Sequence, residues 1–144
     1  MKKIVVGTDG SKSSALAVER AATLAAALDS ELIIGSAFYE SREAAQMALR
    51  RDSVSVIGQD HADSNLAEAV ELAKSFGATK VSTMVRQGTP VHALMEIVNE
   101  VKADLLVVGN RGINSLTGRL LGAVPTEVAR QSHCDVMIVH SVDS

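Results

Sequence analysis

Tryptophan is absent from this 144-residue chain, and its only aromatic side chains are Phe38, Tyr39 and Phe76. Proteins that hold single-stranded nucleic acid stack bases on aromatic platforms. Flavin sites built from ring stacking need the same side chains, so both classes are disfavoured. Cysteine occurs once, as Cys134. One thiol closes no internal disulfide, which fits a reducing compartment and predicts a cytoplasmic protein. Cys134 follows His133 directly, but sequence neighbours do not form a catalytic Cys–His pair, and a small half-buried residue before a strand is the expected role.

Long apolar runs are also missing. No segment approaches the ~18 residues of a membrane span. After Lys2 and Lys3 the first apolar run is Ile4–Val6, too short for the roughly 7–15-residue core of a signal peptide. Positive charge is not in excess. The formal net charge is -3, without the basic patch that nucleic acid requires or a polybasic stretch for an anionic membrane. Three nucleotide and nucleophile signatures are missing as well. There is no G-x-x-x-x-G-K-[ST] phosphate loop, no G-x-G-x-x-G after the first apolar run, and no G-x-S-x-G elbow.

What is present is an ordinary globular composition, 47% apolar and 22% charged, at a length suited to one domain over residues 1–144 with one sizeable core. Lys3–Thr8, KIVVGT, reads as a buried strand ended by Asp9-Gly10. In Ser11–Leu28 apolar residues recur at Ala15, Val18, Ala21, Ala22, Ala25 and Leu28, an amphipathic helix with Ser11 or Ser13 as its cap. Glu31–Phe38 is a second strand, apolar enough to be covered on both faces. Residues 39–60 are polar and charged, with a helix-compatible piece, SREAAQMALRRDS. They read as a solvated connection, and closure over a ligand is an alternative role for residues 40–60. His61–Phe76 is a helix stopped by Gly77. Lys80–Arg86 is a third strand, Pro90 opens the helix VHALMEIVNEVK, and Asp104–Gly109 is a fourth strand. A helix from about Pro125 to Ser132 and a strand Asp135–His140 complete the chain.

The order β-α-β-α-β-α-β-α-β predicts a Rossmann-like α/β domain, a five-stranded doubly wound parallel sheet with helices on both faces. Ligands of such sheets bind beyond the carboxyl ends of the strands, near the reversal in strand order. Gly7, Thr8, Asp9 and Gly10 follow the first strand, Ala37 lies at the end of the second, and Val108 and Gly109 end the fourth. Asp9 reads either as a turn carboxylate at a helix N-terminus or as an acceptor for a ribose hydroxyl or an amino group.

The fourth strand runs into GNRGINSLTGRLLGAVP, four glycines in fourteen residues from Gly109 to Gly122. The N–H groups of Gly122, Ala123 and Val124 fall at a helix start, where anions bind. Pro125 adds no donor but presets the first turn. Arg111 and Arg119 flank the loop with charge suited to phosphate. Glycines also serve ordinary turns and caps, so spacing alone leaves both readings open.

The pattern G-x2-G-x9-G, filled by Gly109, Gly112 and Gly122, resembles the ATP-binding motif of the universal stress protein family. VVGTDGS, RQGTPVHALMEIV, ADLLVVGNRG and DVMIVH resemble family segments in family order. The resemblance thus covers nearly the whole chain, and the glycine loop is most similar to small single-domain actinobacterial members. It implies the adenine nucleotide alpha hydrolase-like fold, an adenine nucleotide ligand without a catalytic residue, and a homodimer through the last strand, here Val136–Val139. By the same resemblance Asp9 holds the ribose or base region, Ala37 touches adenine through its backbone, Val108 and Gly109 line base and ribose, and Gly112 and Gly122–Val124 bind phosphates.

The chain departs from the family pattern at two positions. Ala123 stands where the family has Ser or Thr, and Pro125 replaces a second hydroxyl common there. Each lost hydrogen bond to a charged group is worth about 1.5–3 kcal/mol, which shifts the expected ligand from ATP toward AMP or cyclic AMP. Some actinobacterial relatives resemble this case in favouring cyclic AMP. Mg²⁺ would arrive with the nucleotide, held by its phosphates. A dimeric stress-response scaffold with a vestigial pocket is the competing class. Slow ATPase or phosphotransferase chemistry is a third. It is weakened because Asp9 is the only carboxylate at the strand ends, with no lysine or second metal ligand beside it. His61, His92, His133 and His140 show no metal-ligand spacing.

Overall fold

The computed structural model describes residues 1–38, 59–110 and 123–141. Within them the chain forms β1 (Lys3–Gly7), α1 (Lys12–Leu28), β2 (Glu31–Phe38), α2 (Gln59–Ser75), β3 (Val81–Gln87), α3 (Pro90–Val101), β4 (Leu105–Gly109), α4 (Ala123–Gln131) and β5 (Asp135–Val139). All five strands are parallel in one sheet of order β3-β2-β1-β4-β5.

Helices cover both faces, as doubly wound topology requires. Ile4, Val6, Leu32, Ile34, Leu105 and Val107 point to one face, under Ala17, Val18, Ala21, Ala22 and Ala25 of α1 and Leu66, Ala69 and Ala73 of α2. Val5, Ile33, Leu106 and Val108 point to the other, against Leu94, Ile97 and Val98 of α3 and Val128 of α4. The strand period of two and burial on both sides explain why β1 and β4 read as unbroken apolar runs. Alanines along the buried stripe of α1 let its axis lie close to the sheet.

Helix ends follow local chemistry. Ser11 is the N-cap of α1, its hydroxyl accepting the Ser14 N–H at 3.1 Å. Thr89 caps α3 in the same way through His92 N–H, and Pro90 occupies the first turn. Gly77, at φ +100°, closes α2, with its N–H donating to Lys74 O. Asp29 and Lys102 end α1 and α3 in the left-handed region, without a glycine to signal it.

Boundaries shift by a residue or two from the sequence expectation. β1 stops at Gly7 rather than Thr8, β3 and β4 begin at Val81 and Leu105, and β5 ends at Val139. α2 begins at Gln59 rather than His61, and ends at Ser75. α4 begins at Ala123 rather than Pro125 and ends at Gln131. The first-turn N–H groups of a helix have no intrahelical acceptor. Proline is therefore tolerated two residues inside the start of α4 as readily as at its first position. The connection 39–58, with most of the segment read as a solvated or closing element, lies outside the described residues.

Candidate functional site

The chain runs from β1 outward to β2 and β3, then returns to place β4 on the other side of β1. Strand order therefore reverses between β1 and β4. α1, which follows β1, packs on one face of the sheet and α4, which follows β4, on the other, the arrangement at which ligands of such sheets bind. Gly7 and Gly109 are the last residues of the two strands, so the sequence-predicted residues of both strand ends flank the reversal.

At the β1 exit a hydroxyl network shapes the turn. Thr8 N–H donates to Gly35 O at 3.0 Å, continuing the ladder toward β2. Thr8 Oγ1 lies 3.2 Å from Ser14 Oγ and accepts the Gly10 N–H at 3.3 Å. Ser14 Oγ also accepts the Asp9 N–H at 3.3 Å. Asp9 Oδ1 accepts the Ser11 N–H at 2.9 Å, an Asx turn directly before α1. One carboxylate oxygen of Asp9 is thus fixed by the fold. The other has no protein partner among the described residues, and the side chain is half-exposed. A groove of about 80 Å³ opens beside this turn, lined in part by Thr8, Gly10, Ser11, Asn65 and Glu68. That is far below the roughly 300 Å³ at which small-molecule pockets begin. Among the described residues a groove of about 390 Å³ also lies between α2 and β3, lined by Leu66, Val70 and Val85 among others.

At the β4 exit the packing is close. A Cβ on Gly109 would lie 2.8 Å from the Ser13 carbonyl oxygen, so α1 occupies the space that a side chain would need. Gly7 is similar on the opposite face, where a Cβ would meet Leu94 Cδ1 at 3.0 Å. Both predicted site glycines therefore have a packing role that operates without any ligand. Val108 is buried in the α3/α4 face of the core, which leaves only its main chain for a ligand. Ala37 is half-buried near the end of β2, in register with Arg86 of β3.

In the first turn of α4, Ala123 is exposed, Val124 half-buried and Pro125 buried. Arg111, Gly112, Gly122 and Arg119 lie outside the described residues. Two polar side chains fall inside strand-end segments that the sequence marks for a ligand, Ser36–Phe38 and Gly109–Gly112, without being assigned a role of their own. Asn110, only 1% exposed, follows Gly109 and bonds to Val139, His140 and Ser141. Ser36, 3% exposed on β2, has a hydroxyl with no hydrogen-bond partner among the described residues. Ser36 carried one weak signal, a hydroxyl inside an otherwise apolar strand. Asn110 carried none that distinguishes it from a turn residue.

These groups fit an adenine nucleotide in kind. Asp9 leaves its second carboxylate oxygen as an acceptor, the main chain of Val108–Gly109 and Ala37 lies at the strand ends, and α4 presents first-turn N–H donors at Ala123 and Val124. Among the described residues no group of three or more His, Cys, Asp or Glu side chains is placed to hold a metal ion. No helix among them is long and apolar enough to cross a membrane.

Residues 1–140 match the model of the universal stress protein family. A universal stress protein of Mycobacterium tuberculosis is 47% identical over 97% of both chains. One of Methanocaldococcus jannaschii is 30% identical over 96% of this chain and 81% of its own. Among solved structures, a universal stress protein in complex with cyclic AMP is 45% identical, covers 96% of each chain and superposes with a TM-score of 0.73. That superposition shares the Rossmann-like α/β architecture read from the strand order. The match to the family model over 140 residues, together with these identities, shows that this chain belongs to the universal stress protein family.

Proposed function

We propose that this protein is a nucleotide-responsive regulator that binds an adenine nucleotide in the crevice between β1 and β4 and carries out no rapid chemistry on it. The observation that supports this most is the strand order, which brings Asp9, Gly109 and the start of the glycine loop to the single reversal point of the sheet. The 45% identical neighbour, crystallised with cyclic AMP, supports the same ligand class.

The favoured ligands are AMP and cyclic AMP rather than ATP. Asp9 would accept from the ribose, Ala37 and Val108–Gly109 would meet base and ribose through their main chain, and Arg111, Gly112 and Gly122–Val124 would face phosphate. Ala123 and Pro125 contribute no hydroxyl there, so each added phosphate gains less than in a site that has them. Mg²⁺, where present, travels with the nucleotide. β5 is an edge strand with Val136, Met137 and Ile138 half-exposed, which supports pairing with a second copy along that edge. A cytoplasmic location, with neither nucleic acid nor membrane as a partner, completes the reading.

Thermal stabilisation against ATP, ADP, AMP and cyclic AMP, with and without Mg²⁺, is the test. A ligand that binds only the folded state raises Tm with its concentration. AMP or cyclic AMP is expected to raise Tm more than ATP at equal concentration. A larger shift with ATP overturns the preference. No shift with any of them at millimolar concentration replaces this function with that of a dimeric scaffold.

A further inference from the structure

Asn110 is the first residue beyond β4 and among the most buried polar residues of the described chain, at 1% exposure. Its main-chain N–H donates to Val139 O at 3.0 Å. Its side-chain Oδ1 accepts from Ser141 N–H at 3.0 Å and Ser141 Oγ at 3.1 Å, and Ser13 Oγ at the start of α1 lies 3.5 Å away. Because Ser141 N–H can only donate, the amide oxygen is assigned to that side. The Nδ2 group then faces His140 Nδ1 at 3.4 Å. As Nδ2 can only donate, the contact is a hydrogen bond to the His140 tautomer whose Nδ1 is free to accept.

One buried amide therefore ties the exit of β4 to the end of β5 and to the first turn of α1. An apolar residue of similar size would avoid the desolvation of an amide. What the amide adds is a defined direction for the chain as it leaves Gly109.

We propose that Asn110 is a positioning residue of the nucleotide crevice: bonded to the ends of β5 and α1, it holds the Val108–Gly109 main chain in the place where base and ribose rest. This rests on the nucleotide-binding function proposed above. Asn110 does not itself touch the ligand. It acts through the backbone it orients, and a merely structural clamp would alter stability without altering the affinity of the folded protein.

The test is the Kd for AMP and cyclic AMP, measured by titration calorimetry on the full chain well below each variant's Tm. Asn110→Ala keeps the N–H to Val139 and removes every side-chain bond. It is expected to weaken binding about tenfold, the size of one or two lost hydrogen bonds, while far-UV circular dichroism stays that of the folded protein. A double variant, His140→Ala with Ser141→Ala, removes the imidazole and hydroxyl bonds to the amide while the Ser141 N–H stays bonded, and it leaves Asn110 and the core untouched. It is expected to weaken binding roughly threefold, and it carries the test if Asn110→Ala does not fold. Unchanged affinity in a folded Asn110→Ala, or in the double variant when that one carries the test, overturns the role of Asn110 and leaves the nucleotide function standing. A wild-type protein that binds neither nucleotide overturns that function and this role with it.

Discussion

The carbonyl oxygen of Ser13 stands 2.8 Å from where a Cβ on Gly109 would be. The first turn of α1 thus lies directly on the last residue of β4, and the first glycine of the family motif is required by that contact. Close packing of this kind tolerates no added methyl without movement of one backbone or the other.

Gly109→Ala is accordingly expected to destabilise the protein in the absence of any nucleotide. Overpacking costs about 1–3 kcal/mol, or a Tm lower by roughly 3–10 °C for a chain of this size. Ser13→Ala should not rescue it, because the carbonyl remains. Thermal unfolding of the ligand-free variant decides the matter. An unchanged Tm would mean that α1 gives way at no cost and the glycine serves the ligand alone.

Ser36→Ala probes the opposite situation, a buried hydroxyl with no partner. An unsatisfied polar group costs about 1–3 kcal/mol when buried, while the alanine retains the Cβ that packs under α1 and α2. The substitution should be neutral or stabilising by up to about 1 kcal/mol, seen as an unchanged or higher urea midpoint with the same slope. A loss above about 1 kcal/mol would show that the hydroxyl is bonded in solution.

Asp104 anchors the opposite end of the sheet. Its Oδ2 accepts the N–H groups of Lys2 at 2.8 Å and Lys3 at 3.0 Å. The backbone bonds from Lys2 and Lys3 hold its carboxyl below the usual aspartate range. A depressed folded-state pKa contributes stability that is fully present above the unfolded value and is lost as pH falls through the folded one. Asp104→Ala should therefore lower Tm at neutral pH, and the gap to the wild type should shrink as pH falls below about 4. A gap that is constant across the acid range would remove ionisation from the explanation.

Ala123→Ser restores the hydroxyl that the family pattern carries at the start of α4. If the nucleotide phosphates meet that turn, ATP should gain affinity by up to about tenfold relative to AMP. Competition between the two nucleotides in equilibrium binding measures the ratio. No change in the ratio would separate the phosphates from the first turn of α4.

Much of the site's raw material was legible along the chain. Asp9-Gly10 after an apolar run, the alanine spacing of α1 and the glycines after DLLVVG all act over a few residues, through backbone freedom, capping and periodic burial. Ser11, as one of two candidate caps beside Ser13, and Gly77 as a helix stop were readable for the same reason. Asn110 lay inside the marked segment Gly109–Gly112 but was not singled out, because an asparagine beside a glycine is common turn chemistry. Its partners, Ser13, Val139, His140 and Ser141, are close only in space.

By itself the sequence determined which segments become strands and helices, which sides of them are apolar, and that the sheet must be covered on both faces. Those properties depend on residues two to four positions apart. Tertiary structure decided that β4 lies beside β1, that α1 rests on Gly109, and that Asn110 joins β4 to the end of β5. These depend on which buried faces meet, and an apolar stripe specifies burial without naming its partner. The meeting of the β1 and β4 ends belongs to that second group: Asp9 and Gly109 were present in the sequence, and only the reversal of strand order brought their strands side by side.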